Sequence, residues 1–384
     1  MLLSRPTWAE IDLDAVGHNV RELKRHIGRR VNLLVVVKAN AYGHGAVQVA
    51  RTVLENGASW LGVARVDEGI QLRRTGLVCP VLVLGYASPW EAEQIVEHRL
   101  TPTVNTRQLA LAVSSASLAR GTITPVHVKV DTGLTRFGLL PGEAVDFVKS
   151  VVSLPGLDFE GLYTHFASAD EPEKEYTLQQ LAVLKGTSEA LSAAGVSVKL
   201  HHAANSAATL DLLETHLDMV RCGIAVYGLY PSDSVSRDVE LRPVMTLKSR
   251  VGRLREVPAG TSVSYGRTYR TSEPTRLALV PIGYADGVSR ALSNRGHVLI
   301  RGKRVPIVGR VCMDNCVVNV QSLPEVRHDE EVVVIGRQGD QEISADEIAG
   351  MLGTINYEVT CGISARVPRV YLRRGKVVEV ETLV

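Results

Sequence analysis

The feature that most constrains the fold is an alternation of short apolar runs with longer amphipathic stretches, sustained from the N-terminus to about residue 235. The runs are Ala9–Leu13, Asn32–Val37, Trp60–Val63, Val81–Leu84, Thr101–Val104, Val126–Val130, Phe159–Thr164 and Ser197–His201. Between them, apolar residues recur at helical spacing in Ala15–Ile27, Ala46–Asn56, Asp67–Arg74, Pro89–Glu97, Thr106–Ala119, Pro141–Val152 and Tyr176–Ala194. Strand–helix alternation repeated in this way predicts a parallel sheet whose crossovers are helices. Its length suits an N-terminal (β/α)8 TIM-type barrel, which takes about 250 residues. A doubly wound open sheet is the alternative, but no Gly-rich dinucleotide fingerprint follows the first strand. A ninth short run, Met219–Val220, has no assigned place.

After about Arg242 the periodicity changes. Arg250–Val257, Leu277–Ile282, His297–Ile300, Val305–Val311, Cys316–Val320 and Glu331–Ile335 are β-rich and separated by Gly, Pro or Asp turns. Helical signal is limited to Ala345–Met351. This part predicts a second, mainly antiparallel β domain. The expected division is residues 1–238 and 239–384, since 384 residues exceed what one core usually serves.

Composition excludes several classes. A net charge of +2 with dispersed Lys and Arg lacks the footprint of a nucleic-acid binder. The N-terminus shows no signal-peptide apolar core, and the longest apolar stretches fall far short of the roughly 20 residues that span a bilayer. The five cysteines are scattered and lack zinc-ligand spacing. No metal is expected, and a soluble, cytoplasmic protein is.

In a barrel the active site forms at the C-terminal ends of the strands, and several chemically capable residues fall there. Lys38 ends the run Leu33–Val37, where partial desolvation lowers an amine's pKa and makes it nucleophilic. Lys129 and Asp131 end another run, with Arg136 shortly after; His165, Asn205 and Ser206, and Arg221 with Gly223 and Ile224 end or follow others. Ser206 and the Gly223–Ile224 turn suit an anion such as phosphate. In the β domain, Tyr265 sits beside a glycine in a strand-and-turn setting, and Met313 and Asp314 follow Gly309-Arg310-Val311-Cys312. Taken singly, each has an ordinary reading: a snorkelling lysine, a turn glycine, a packed aromatic, a β-turn aspartate. Five placements at one barrel face are harder to dismiss.

Together these segments resemble alanine racemase, a bacterial pyridoxal-phosphate enzyme family. The likeness runs through Val36-Val37-Lys38-Ala39-Asn40-Ala41-Tyr42-Gly43-His44-Gly45, Lys129-Val130-Asp131-Thr132-Gly133, Thr164-His165-Phe166-Ala167, Ala204-Asn205-Ser206 and Arg221-Cys222-Gly223-Ile224. It continues through Ser264-Tyr265-Gly266, Ile282–Gly287, Gly309–Asp314 and Asn356-Tyr357-Glu358. The lysine motif is shared more loosely by other barrel proteins; the tyrosine and Arg-Val-Cys-Met-Asp motifs are more specific.

The resemblance implies a head-to-tail homodimer in which one subunit's barrel and the other's β domain form each site. It implies interconversion of L- and D-alanine, supplying D-alanine for peptidoglycan. Lys38 is then the Schiff-base anchor of pyridoxal 5'-phosphate and the base on the D-alanine face, and the partner's Tyr265 the base on the L-alanine face. Tyr42, Ser206, Gly223, Ile224 and Tyr357 are implied to hold the phosphate, with His165, Asn205 and Arg221 around the cofactor and Arg221 facing the pyridine nitrogen. Arg136, Met313 and Asp314 are implied at the substrate, with Arg136 also bonding the cofactor's phenolic oxygen. Lys129 resembles a lysine that some members carbamylate. Asp170, Tyr284, Arg290, Arg310 and Ile355 are implied to line a narrow approach. The bulk of Tyr357 favours alanine over serine. Departures from the family pattern are Val288-Ser289, where Tyr-Pro is common, and Asn319, where Asp is common; both lie outside the catalytic set. A serine-preferring or broad-specificity racemase, a decarboxylase for a larger amino acid, and a non-catalytic pyridoxal-phosphate carrier are the competing readings. A carrier needs neither the β domain nor Tyr265.

Overall fold

The computed structural model describes residues 5–383. Its backbone contacts divide the chain into two compact units. One comprises Val16–Ala41 and Ala46–Arg242; the other comprises, of the described residues, 5–15, Tyr42–Gly45 and 243–383.

The first strand, β1 (Trp8–Asp12), corrects the sequence reading. Its apolar run was expected to open the barrel. Instead it pairs antiparallel with Met245–Arg250 and parallel with Arg369–Arg373, inside the β unit. The barrel opens with β2 (Asn32–Val36) and proceeds through β3 (Trp60–Val63), β4 (Val81–Val83), β5 (Thr101–Pro102), β6 (Thr124–Lys129), β7 (Leu157–Tyr163), β8 (Leu200–His202) and β9 (Met219–Cys222). The leftover ninth run is therefore the eighth barrel strand. β9 pairs parallel with β2 in register Leu34↔Arg221, which places Arg221 beside the strand that leads to Lys38. Neighbouring strands pair in parallel from β9 through β2 to β5 and from β6 to β8. A Thr103↔His127 bridge joins β5 to β6. Hydrogen bonds from Asp218 N to His201 O (3.1 Å) and Arg221 N to Ala204 O (3.0 Å) close the ring.

The helices form where their end signals predict. Pro89 and Pro141 occupy first-turn positions, where a missing N–H costs nothing. Thr106 caps Arg107–Ala119 by accepting from Leu109 N. Leu33, Leu34, Val35, Leu61, Leu82 and Val83 are fully buried, as parallel strands covered by helices must be. Each such side chain contributes about 1.5–3 kcal/mol.

In the β unit, β10 (Met245–Arg250) lies between β1 and β18 (Glu331–Gln338); β15 (His297–Ile300) and β16 (Lys303–Pro306) extend one side, and β20 (Arg369–Arg373) and β21 (Lys376–Glu381) the other. A second sheet orders β11 (Arg253–Val257), β14 (Thr275–Val280) and β17 (Cys316–Asn319). A hairpin of β12 (Ser262–Val263) and β13 (Tyr269–Arg270) presents residues 264–268. A short strand, β19 (Gln341–Ile343), pairs with β18. All these pairs are antiparallel except β1 with β20. Helix Ala345–Leu352 is capped by Ser344 and stopped by Gly353 at φ 70°. A further helix, Asn356–Cys361, carries Tyr357 and escaped the sequence reading because six residues are too few for a periodic signal.

Candidate active site

Lys38 follows β2 directly and opens an unusual turn. Ala39, Asn40, Ala41 and Tyr42 all adopt left-handed backbone angles, with φ between 51° and 54°. Each such residue costs about 1 kcal/mol. The turn persists because neighbours hold it. Ala41 N donates to Val37 O (2.9 Å) and Ala46 N to the Asn40 side chain (2.8 Å). Ala39 N donates to Glu68 Oε1 at 2.7 Å. The other oxygen of Glu68 accepts Ala64 N (2.8 Å) and Arg65 N (3.2 Å) at the start of helix Val66–Arg74. One carboxylate thus ties the lysine turn to the end of β3.

Around the strand ends positive charge accumulates. Burial first, then Arg136 and Arg221, push the Lys129 ammonium down to about 7; Asp131 opposes them and Lys38 adds to them. Lys129 Nζ lies 5.9 Å from the centre of the Tyr163 ring, and the Arg221 guanidinium carbon lies 5.1 Å from it. Arg221 is buried and makes no ion pair among the described residues. Its Nη2 donates to Thr164 O (2.6 Å), Ala203 O (2.9 Å) and His165 Nδ1 (3.2 Å), and its Nη1 to His202 Nδ1 (2.8 Å). Burial, then Arg221, Lys129, Arg136 and Lys38, hold His165 well below its usual pKa. His165 therefore serves as a neutral acceptor. Four cations gathered about one aspartate make a setting for an anionic ligand with several acceptors.

Ser206 opens helix Ser206–Asp211, which Asn205 caps by accepting from Ala208 N (3.0 Å). The Ser206 hydroxyl accepts from Gly223 N (2.9 Å) and Ala225 N (3.4 Å). The hydroxyl and the Gly223–Ile224 backbone after β9 thus form one polar cradle. The chemistry of this donor set, with the cations and the lysine, fits pyridoxal 5'-phosphate: an amine for its aldehyde, donors for its phosphate, and cations for its oxygens.

In the β unit, Tyr265 is 74% exposed at the tip of the β12–β13 hairpin. The tip is pinned from behind. Ser264, at φ 62°, donates its hydroxyl to Arg310 O (2.7 Å), and Asn294 bonds both Thr268 (3.0 Å) and Gly309 N (2.6 Å). Arg290 lies in the same 290–294 segment and is exposed. Met313 is exposed, and its loop is locked to Tyr284 by hydrogen bonds from Tyr284 N to Cys312 O and Ala285 N to Met313 O (both 3.0 Å). A Cβ on Gly283 would lie 2.3 Å from Cys312 O, so only glycine fits there. Asp314 pairs with Arg366 at 2.8 Å. Tyr42 and Tyr357 stand with ring centres 6.0 Å apart, and Ile355 is exposed just before Tyr357. Arg369 Nε donates to Gly43 O (3.0 Å), anchoring the segment that follows the lysine turn.

Residues 11–231 match the family model for the alanine racemase N-terminal domain, and residues 244–371 match that for its C-terminal domain. The chain belongs to the alanine racemase family. An alanine racemase of Halothermothrix orenii is 47% identical over 96% of this chain and 97% of its own length. One of Desulfosudis oleivorans is 50% identical over 95% and 96%. The alanine racemase of Bacillus anthracis with bound L-Ala-P superposes with a TM-score of 0.94 at 42% identity, covering 100% of this chain and 99% of that one. The TIM-type barrel followed by a mainly antiparallel β unit is thus the family fold.

The barrel unit of this alanine racemase relative holds Lys38, Lys129, Arg136, His165, Asp170, Asn205, Ser206, Arg221, Gly223 and Ile224. The β unit holds Tyr42, Tyr265, Tyr284, Arg290, Arg310, Met313, Asp314, Ile355 and Tyr357. Sequence reasoning missed Glu68, Tyr163, His127, His202 and Glu160. Glu68 sits at the third position of a helix, where an acidic residue ordinarily caps, and nothing in its spacing announces Lys38. His127 lies in a β-period run, where a polar residue between two valines was the available signal; His202, between His201 and Ala203, offered none.

Proposed function

We propose that this chain racemises alanine with pyridoxal 5'-phosphate, using Lys38 and Tyr265 as two bases on opposite faces of the α-carbon. The observation that carries the reading is the pairing, in one chain, of a strand-end lysine among cations with a tyrosine exposed at a rigid hairpin tip. A non-catalytic carrier would need only the former.

When bound, pyridoxal phosphate supplies an electron sink that acidifies the α-hydrogen of an amino acid. The chain's own groups do the rest. Lys38 Nζ anchors the cofactor and then holds or releases the proton on the D-alanine face. Tyr265 Oη of the partner subunit exchanges the proton on the L-alanine face. Arg221 would hold the pyridine nitrogen through a hydrogen bond, and because a guanidinium does not give up its proton, it would leave that nitrogen unprotonated. Arg136 and the Met313 N–H orient the substrate carboxylate, with Asp314 beside the substrate and paired to Arg366. Ser206, Gly223, Ile224, Tyr42 and Tyr357 hold the phosphate, with His165 and Asn205 supporting. Asp170, Tyr284, Arg290, Arg310 and Ile355 restrict access to small substrates. The assembly we propose is a head-to-tail homodimer. The thiols of Cys79, Cys222, Cys312 and Cys316 support a reducing, cytoplasmic setting, and no helix of the described residues is long and apolar enough to cross a membrane.

Polarimetry tests the reading. Cofactor-loaded protein is expected to take the optical rotation of L-alanine to zero, and that of L-serine far more slowly. A loaded protein that leaves the rotation of L-alanine unchanged is a carrier, not a racemase.

A further inference from the structure

A line of buried groups leaves Arg221 in the direction away from Lys38. Arg221 Nη1 lies 2.8 Å from His202 Nδ1, His202 Nε2 lies 2.9 Å from His127 Nδ1, and His127 Nε2 lies 3.2 Å from Glu160 Oε2. Both histidines are fully buried, and the His202 ring stacks on Tyr163 at 4.5 Å between centres. Glu160 is 22% exposed. It lines a cavity of about 450 Å³ together with Trp60, Thr101 and Thr124, the first residues of three barrel strands. The line therefore crosses the barrel from the catalytic end to the opposite one.

The line has only one consistent set of protons. A guanidinium can donate but not accept, so His202 Nδ1 is bare. His202 then carries its proton on Nε2 and donates it to His127 Nδ1. His127 in turn carries its proton on Nε2 and donates it to the Glu160 carboxylate. Any imidazolium, or either opposite tautomer, sets two N–H groups against each other at under 3 Å in a dry interior. Burial foremost lowers the pKa of both rings, in agreement with neutral imidazoles. Hydrogen bonds aligned head to tail polarise one another. Through them, the buried cation that lacks a direct ion pair among the described residues is matched to a carboxylate three groups away.

We propose that Glu160 is a positioning residue for the racemase: acting through His127 and His202, it fixes their tautomers and so the aim of the Arg221 guanidinium. A carboxylate at that end of a barrel ordinarily serves stability alone. Here it has a continuous route to the strand ends. The proposal rests on the racemase reading only for its kinetic consequence; the proton arrangement stands or falls on cofactor-free protein.

Nitrogen-15 spectra of histidine-labelled protein, cofactor-free and loaded, read the tautomers directly. The expected result is Nε2–H for both His127 and His202, with neither protonated at neutral pH. Glu160→Gln keeps an acceptor and should keep both tautomers and most of the turnover. Glu160→Ala should release the His127 tautomer to a mixture and lower kcat about ten-fold, the scale for losing an outer partner of a ligating histidine. KM for alanine should change less than two-fold. An imidazolium or an Nδ1–H form at either ring in the parent protein overturns the proposal. So do unchanged tautomers and kcat in Glu160→Ala. Should that variant not fold, the parent spectrum and the Gln variant decide. Correct tautomers without racemisation would sink the functional reading and leave the relay intact.

Discussion

Lys129 shows how much a single residue's surroundings decide. An ordinary surface lysine stays protonated far above neutrality. Lys129, buried among Arg136, Arg221 and Lys38, titrates at about 7. The neutral amine therefore dominates above that pH. A neutral amine adds carbon dioxide, forming an N–C bond and releasing one proton. The product anion turns the unfavourable approach of two cations into an attraction to Arg136. We expect one carbamate resonance in the carbon-13 spectrum of protein equilibrated with labelled bicarbonate. It should grow as pH rises through 7, fade as pH falls, and vanish in Lys129→Ala. No such resonance at pH 8 would leave Lys129 a plain amine. The sequence marked this residue by its place at a strand end and by likeness; the cause of its acidity, burial and then the approach of Arg136, Arg221 and Lys38 from other strands and loops, is a property of the fold.

Among the elements, the left-handed turn after β2 is the one the sequence concealed. Helix and strand periods were legible because each repeats over many residues, and the first helix, the eight barrel strands and half of the strands β10–β21 lie close to where apolar spacing puts them. β1 was misassigned for a physical reason: an apolar run declares that it is buried, not against what. The turn at Ala39–Tyr42 contains three residues with ordinary preferences for other angles, so local propensity argues against it, and only Glu68 and its companions impose it. Glu68→Ala removes a charged acceptor from three N–H groups. We expect the Ala39 amide to lose about 2 kcal/mol of protection, roughly a thirty-fold faster hydrogen exchange in cofactor-free protein. Slower covalent capture of the cofactor by Lys38 should accompany it. Unchanged exchange at Ala39 would mean the strained turn needs no clamp.

For the whole molecule, the proposed reaction asks a base carried by the β unit of one subunit to serve a lysine of the partner's barrel. Tyr265 is exposed on a hairpin braced by two segments of its own unit, which suits a group that acts on another chain. If sites are shared in a head-to-tail homodimer, mixing Lys38→Ala with Tyr265→Phe subunits should restore about a quarter of the activity of the parent protein under random pairing of chains; no recovery, with exchange of subunits demonstrated, would confine each site to one chain. The central claim, two bases on two faces, is tested most directly by α-hydrogen exchange in deuterium oxide with the Tyr265→Phe protein. The account predicts that D-alanine still exchanges its α-hydrogen, through Lys38, while exchange from L-alanine falls by orders of magnitude and cofactor loading is kept. Equal loss from both enantiomers, or exchange from L-alanine at the parent rate, would contradict it.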